Sequence, residues 1–421
     1  LVLNDGNLRT HESVEQRALT DVWSSNYDHS WKSRRNFVFQ FGCHPIIVLS
    51  LSKQWSELKG IKLPAVLCFC MQNTPESTHS VDRVLLAAPR GFCAGVEMAI
   101  KALAWMVRTF PAPVYCYHEI VHNRAVVDRF LKLGVIFVDE ISEVPLGMPI
   151  MLSAHGSAPQ VVELARQRGS YVVDSVCPLV TKVHHEVRVR AGKGYRIVYV
   201  GHEGHEEAVG TMAVAPDSIS RVESMEEVEA LPTFSEPVAL LAQTTLSHRD
   251  WAGIADAVKV KYPSVWSPGK SDLCFATTNR QSALLQIAAQ CDSVIVIGSA
   301  NSSNTRALEK LAHDEGCEHV YRINSVDELP RTLHGIVGVT AGASAPEDLV
   351  NEVLAFLNPV HGVEEIRITR EEEYFPPPRN IRQLQSGIEN AALTMIGAPV
   401  SAATSVDDRL VSASDVLSSL D

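Results

Sequence analysis

The chain has 421 residues, of which 46% are hydrophobic and 20% charged, and its formal net charge is −12. That length supports two or three domains, and the acidic balance argues against general nucleic-acid binding. No apolar run reaches the roughly 18 residues that a membrane span requires, and no basic-then-apolar leader pattern opens the chain, so a cytoplasmic protein without membrane contact is expected.

Residues 1–80 show no strand–loop–helix rhythm and hold three tryptophans, Trp23, Trp31 and Trp55. The first methionine is Met71, and the expectation is an N-terminal extension, disordered or outside the native translation product. The alternative is an accessory segment in which Cys43-His44 and Cys68 with Cys70 bind a metal, although their spacing fits no common zinc pattern.

From residue 82 the pattern becomes regular: a short apolar strand ends in a polar loop, and an amphipathic helix usually follows. The run 84–88 leads into Pro-Arg-Gly-Phe-Cys-Ala-Gly (89–95), where glycines on both sides of Cys93 allow a tight turn and close approach. Runs at 114–117 and 149–152 lead into polar loops holding His122 and His155. The run 171–176 leads into Cys177-Pro178. Next, 196–200 precedes a loop with His205, Glu206 and Glu207, and 237–242 precedes Thr244 and Thr245. Cys274 follows, then 293–297 before Ser302, Ser303 and Asn304, and 336–339 before Ser344.

Such alternation predicts an α/β fold with mostly parallel sheets, in which ligands bind beyond the carboxyl ends of the strands. The three cysteines lie 84 and 97 residues apart, about one small α/β unit each. The expected division is therefore 81–177 with Cys93 at its start, 178–273 and 274–358. A tail, 359–421, holds one strand near 365–368 and turns mobile beyond Arg382.

Nine cysteines without a compact disulfide spacing favour a reducing compartment and metal or catalytic roles for a few. Cys93, Cys177 and Cys274 each sit beside Gly, Pro or Thr in comparable settings. On this reading the three units share one iron–sulfur cluster; buried structural thiols are the plain alternative. Three thiolates to a four-iron cluster leave one iron without a protein ligand, able to act as a Lewis acid and pass electrons. His122, His155 and His205, with Ser302, Asn304 and Ser344, suit an anion such as a diphosphate; zinc is the competing use of the histidines. Glu207 is a candidate proton donor if burial raises its pKa, and otherwise a solvated carboxylate beside Glu206. Thr244 and Thr245 either relay a proton or cap the next helix.

Nine motifs in order carry a family resemblance over about residues 82–358. They are Pro-Arg-Gly-Phe-Cys-Ala-Gly (89–95), His-Glu-Ile-Val-His-Asn (118–123), Ser-Ala-His-Gly (153–156), Cys-Pro-Leu-Val-Thr-Lys-Val-His (177–184) and Gly-His-Glu-Gly-His (201–205). Gln-Thr-Thr-Leu-Ser (243–247), Ala-Thr-Thr-Asn-Arg-Gln (276–281), Asn-Ser-Ser-Asn (301–304) and Thr-Ala-Gly-Ala-Ser-Ala-Pro (340–346) complete the set. Together they resemble the 4-hydroxy-3-methylbut-2-enyl diphosphate reductase family. The resemblance implies a trefoil of three α/β domains around a central [4Fe–4S] cluster held by Cys93, Cys177 and Cys274, with one open iron. It further implies that His122, His155, His205, Ser302, Ser303, Asn304 and Ser344 hold a diphosphate, that Thr244 contacts the substrate hydroxyl and that Glu207 supplies protons. The implied reaction adds two electrons and two protons to an allylic diphosphate, expels water and yields isopentenyl and dimethylallyl diphosphates, with ferredoxin or flavodoxin as electron donor. One departure is Glu206, where the family often has proline; this second carboxylate either raises the pKa of Glu207 or points outward.

Two other functions compete: a non-catalytic iron–sulfur or zinc sensor, which needs the cysteines but not Glu207, and a zinc phosphohydrolase built on the histidines. A basic stretch at Lys182, Arg188, Arg190 and Lys193 is either a docking patch for an acidic carrier or a solvated helix face.

Overall fold

The computed structural model describes residues 35–39, 47–51, 80–396 and 408–420. The chain divides into two compact units, Leu1–Glu76 and Ser77–Asp421. In the first unit, β1 (Arg35–Phe39) pairs antiparallel with β2 (Ile47–Leu51), Arg35 opposite Leu51. Cys43, His44, Cys68, Cys70 and Met71 lie outside the described residues.

The second unit contains three sheets in which every pairing is parallel. The first has the order β5-β4-β6-β7, from β4 (Val114–Tyr117), β5 (Val135–Val138), β6 (Pro149–Leu152) and β7 (Tyr171–Asp174). The second has the order β10-β8-β9, from β8 (Arg196–Val200), β9 (Ile219–Val222) and β10 (Val238–Ala242). A parallel bridge from Ala239 to Trp266 extends it beyond β10. The third has the order β12-β11-β13-β3-β14, from β3 (Ser80–Ala88), β11 (Ser293–Ile297), β12 (His319–Ile323), β13 (His334–Ala341) and β14 (Val363–Arg367).

Burial explains the composition of these strands. β6 and β10 are buried at every position and read as unbroken apolar runs, and β11 is equally buried and apolar after its first residue, Ser293, because helices cover both faces of a parallel sheet. At the edge, β14 reads Val-Glu-Glu-Ile-Arg and is exposed at four of its five positions, which blunts its unpaired side.

The same topology recurs three times. In each sheet the first strand in its repeat lies between the second and the third, and a fourth extended segment follows the third. That fourth segment is β7, the stretch at Trp266, or β3. Each leads to a cysteine and then a long helix: Cys177 to α4 (Pro178–Gly192), Cys274 to α8 (Phe275–Ile287) and Cys93 to α1 (Ala94–Thr109).

β3 therefore corrects the division expected from sequence. It pairs with β13 and β14, not with any strand between 114 and 174. Cys93 does not open the first sheet unit; its strand completes the third one. Sequence order conceals this because parallel pairing is set by which buried faces match, not by which strand comes next.

The described part of the tail carries helices as well as the one strand expected. Residues from Arg379 to Met395 form a helix, α11, whose Ile381 is buried in the core around α1. After an interval outside the described residues, α12 (Ala413–Ser418) buries Ala413 and Leu417 in that same core. The intervening helices, used below, are α2 (Arg124–Lys132), α3 (Pro159–Arg168), α5 (Glu206–Met212), α6 (Met225–Ala230), α7 (His248–Lys261), α9 (Ser303–Asp314) and α10 (Glu347–Leu357).

Candidate active site

In open parallel sheets the crevice lies where strand order reverses, here between the first and third strands of each repeat. Five residues past the first strand stand His122, His205 and Ser302; three past the third stand His155, Thr245 and Ser344. The three crevices open on one cavity. Cys93, Cys177, Cys274, His122, His155, His205, Glu207, Thr244, Ser302, Ser303, Asn304 and Ser344 all line it. Every site residue expected from the sequence is thus gathered in one place.

The cysteines are anchored alike. Each is the N-cap of its helix and donates its backbone N–H to a carbonyl two residues beyond a third strand: Cys93 to Ala343 (3.1 Å), Cys177 to Ala154 (3.0 Å) and Cys274 to Thr244 (2.8 Å). Three helix N-termini, the positive ends of their peptide dipoles, therefore meet at the thiols. Two of the sulfurs meet over Gly95, where an added Cβ would stand 2.8 Å from Cys177 Sγ and 3.9 Å from Cys93 Sγ. Burial, and then the neighbouring Cys93, push the Cys177 thiol far up and Cys274 up to about 12. Both stay protonated at neutral pH unless a cation displaces the protons. Three soft sulfur donors suit iron–sulfur or zinc chemistry, not a hard cation.

Gly95→Ala is expected to lower metal retention sharply, because the methyl group has no free space between two sulfurs, and such overpacking costs about 1–3 kcal/mol. Iron and sulfide content per chain measures this; wild-type content in the variant would mean the sulfurs do not need this approach.

The histidines form a second cluster. The His122 and His155 rings stack at 3.8 Å with 13° between planes, and His205 meets His122 edge-on at 5.4 Å. Burial and the neighbouring histidines hold His155 well below its ordinary pKa. Burial, then His122 and His202, bring His205 down to about 3. The His205 ring is fixed by the Glu207 backbone N–H, which donates to Nδ1 at 3.2 Å. The neutral ring therefore carries its proton on Nε2. Glu119 Oε2 approaches His122 Nδ1 to 3.5 Å and Glu206 Oε2 approaches His155 Nε2 to 3.9 Å, but neither His122 nitrogen, nor His155 Nε2, nor either amide atom of Asn304 makes a hydrogen bond within the protein. Buried polar atoms are seldom left unpaired, and their gathering here marks a polar ligand.

An anion fits these donors better than zinc. Donor atoms of His122, His155 and Glu206 do lie within 4.8 Å of one another. Parallel stacked rings, however, aim their in-plane lone pairs side by side, whereas zinc requires them to converge at about 2.0–2.1 Å.

Around this cradle, Ser302 Oγ caps α9 by accepting the Thr305 N–H, which leaves its own hydroxyl proton free. The hydroxyls of Ser303 and Ser344 donate to Thr245 O (3.4 Å) and His122 O (2.8 Å). A ligand must draw those protons away from carbonyls to use them.

Glu207 is 2% exposed. The Thr244 N–H donates to Oε1 at 2.7 Å and the Thr244 hydroxyl to Oε2 at 2.9 Å. Burial outweighs these bonds and lifts the carboxyl to about 7, with Asp272 adding to the rise. Thr244 thus bonds Glu207 with its side chain and Cys274 with its carbonyl; the N-cap position of the helix that follows is Ser247, whose side chain makes no capping bond, and the His248 N–H donates to Gln281 Oε1 at 3.1 Å. Glu206 neither points outward nor shifts Glu207. Its carboxylate faces His118 Nδ1 (3.6 Å) and His155 Nε2 (3.9 Å), behind the cradle.

Sequence reasoning missed Asp272, whose charge acts on Glu207, and the structural ties made by Lys182 and Arg280; Gly95 it read as permitting close approach. Lys182 donates to the Lys270 and Ser271 carbonyls and pairs with Asp272 at 3.2 Å. Arg190 lies 3.5 Å from the Trp266 ring centroid and pairs with Glu186. Two of the four cations in the expected basic stretch are therefore engaged within the protein. Arg280 was visible in the sequence only as a member of the motif Ala-Thr-Thr-Asn-Arg-Gln (276–281), with no role attached.

A family model described as "LytB protein" matches residues 84–358. The 4-hydroxy-3-methylbut-2-enyl diphosphate reductase of Methylococcus capsulatus is 43% identical over 312 residues, covering 72% of this chain and 99% of that protein. Its Streptomyces coelicolor counterpart is 44% identical over 308 residues, covering 72% and 91%. A solved structure, the E-1-hydroxy-2-methyl-but-2-enyl-4-diphosphate reductase of Plasmodium falciparum, superposes with a TM-score of 0.69 at 31% identity, covering 74% of this chain and 99% of that one. The likeness extends over nearly the whole length of these relatives, and the chain belongs to the LytB family of 4-hydroxy-3-methylbut-2-enyl diphosphate reductases.

Proposed function

We propose that this chain reduces (E)-4-hydroxy-3-methylbut-2-enyl diphosphate to isopentenyl and dimethylallyl diphosphates, the last step of the methylerythritol phosphate route to isoprenoids. The substrate gains two electrons and two protons and loses its hydroxyl as water. The observation that carries this reading is the single cavity holding three thiols, a carboxyl lifted to about 7 and unpartnered imidazole and amide groups. A sensor has no use for the last two features, and a hydrolase has none for the thiols.

The family is one of iron–sulfur oxidoreductases. Cys93, Cys177 and Cys274 would hold a [4Fe–4S] cluster; when bound, it supplies electrons and one iron free of protein ligands as a Lewis acid. The protein's own groups do the rest. His205 presents Nε2–H to a phosphate oxygen, and His122, His155, Asn304 and Ser302 offer further donors. Each charge-assisted hydrogen bond contributes about 1.5–3 kcal/mol. Anchoring the diphosphate fixes the far hydroxyl near the thiols and turns remote binding into orientation. Glu207 holds a proton in a dry site. When protonated it can donate to Thr244 Oγ1, whose own proton then turns towards the departing hydroxyl. Ferredoxin or flavodoxin would deliver electrons one at a time. No helix among the described residues is long and apolar enough to cross a membrane.

The test is an anaerobic assay with reduced one-electron donor and product analysis. A brown protein containing iron and sulfide that forms both products is expected; a colourless zinc protein would overturn the reading. Because the acid form of Glu207 is the active one, kcat/KM should fall as pH rises through about 7. A pH profile flat from 6 to 8.5, roughly the span that brackets such a group, would remove Glu207 as the proton source.

A further inference from the structure

Arg280 heads the fully buried side chains by volume, and the chemistry above does not use it. It stands on α8 within two turns of Cys274. Its Nε and one terminal nitrogen donate to Gly91 O (3.0 and 2.7 Å), and the latter also reaches Phe92 O (3.3 Å). Those are the two carbonyls directly ahead of Cys93. The other terminal nitrogen donates to Ala276 O (2.8 Å), in the first turn after Cys274. One guanidinium therefore ties the loop of one thiol to the helix of another.

A buried cation cannot stand unpaired. Its counter-charge is Glu371, which takes Oε1 to 3.0 Å and Oε2 to 3.2 Å from the two terminal nitrogens. Asn279 Nδ2 steadies the same carboxylate at 3.0 Å. Glu371 comes from the extended segment after β14, far from the thiols in sequence. That segment is fastened on both sides. Before it, β14 pairs with β3. After it, Asn380 donates to Val172 O (2.6 Å) and accepts from the Tyr171 hydroxyl (2.5 Å), and Ile381 is buried.

We propose that Glu371 and Arg280 form a clasp through which the C-terminal segment holds the Cys93 loop against the Cys274 helix, and so governs how firmly the cluster is kept and at what potential it is reduced. Both are positioning residues; neither lines the cavity. The inference rests on the reading that these thiols carry a cluster. Lys182, bound to the carbonyls at 270 and 271, makes the matching tie between the Cys177 helix and the Cys274 loop.

The test uses the full-length chain, reconstituted anaerobically with iron and sulfide. Iron release to a ferrous chelator and the midpoint potential of the cluster are measured for wild type, Glu371→Gln, Glu371→Asp and the exposed-neighbour control Glu372→Gln. Supporting groups around a metal centre typically change metal retention by about 10–100-fold, so Glu371→Gln should release iron about tenfold faster. Its potential should move positive, because Arg280 loses its neutralising charge. Glu371→Asp should recover most of both, and Glu372→Gln should match wild type. Wild-type release and potential in Glu371→Gln would overturn the clasp. A wild-type chain that takes up neither iron nor sulfide would overturn the cluster reading itself, and the clasp with it.

Discussion

Replacing Glu207 with glutamine is expected to lower kcat by about 10²–10⁴-fold, the usual contribution of a positioned general acid, while leaving the cluster and substrate affinity nearly intact. The substitution preserves shape. The amide oxygen can still accept the Thr244 N–H, and the amide nitrogen can donate to the Thr244 hydroxyl, so both contacts at 2.7 and 2.9 Å have replacements. What disappears is the proton that burial keeps on the carboxyl near neutrality. Steady-state turnover under anaerobic conditions, with the cluster's electron paramagnetic resonance signal recorded in parallel, separates the outcomes. Unchanged turnover would exclude Glu207 from proton delivery. Lost turnover together with a lost signal would mean that the residue serves structure instead.

The second large effect is expected at the sulfur anchors. Cys177→Ser should lose most of its iron and fall by well over about 100-fold in activity, since supporting residues alone usually account for about 10–100-fold. A serine hydroxyl is far less acidic than a thiol and a poorer ligand for iron, so a cluster held by the three thiols would lose one of its anchors. Cys93→Ser and Cys274→Ser should behave alike, because all three occupy the same N-cap position with the same strand-end hydrogen bond. Iron and sulfide analysis is the measurement. Cys116, Cys291 and Cys317 provide controls, as none of them lines the cavity; a serine at Cys291 should keep full iron content. If iron content were equal to wild type in Cys177→Ser, that thiol would not be a ligand.

The place of Glu206 shows how a departure from a family pattern can mislead when read along the chain. Adjacent carboxylates suggest mutual repulsion. Yet α5 begins at this residue, and successive positions on a helix point about 100° apart. Glu206 turns towards His118 and His155, while Glu207 turns inward to Thr244. Burial raises Glu207, and the carboxylate that adds to the rise is Asp272, distant in sequence and paired with Lys182.

The sequence by itself determined the class of fold, because short apolar runs that alternate with amphipathic helices bury both faces of a parallel sheet under those helices. It also determined the chemical inventory of the site, since thiols, imidazoles, hydroxyls and one acid recur at strand ends where such sheets bind ligands. Only the tertiary structure decided which strand completes which sheet, sending β3 and Cys93 to join β13 at the far end of the chain. It alone decided the protonation of Glu207 and the clasp of Arg280 by Glu371. Those depend on desolvation and on side chains 37 and 91 residues apart meeting in a dry interior, and neither burial nor long-range contact is written in local residue order.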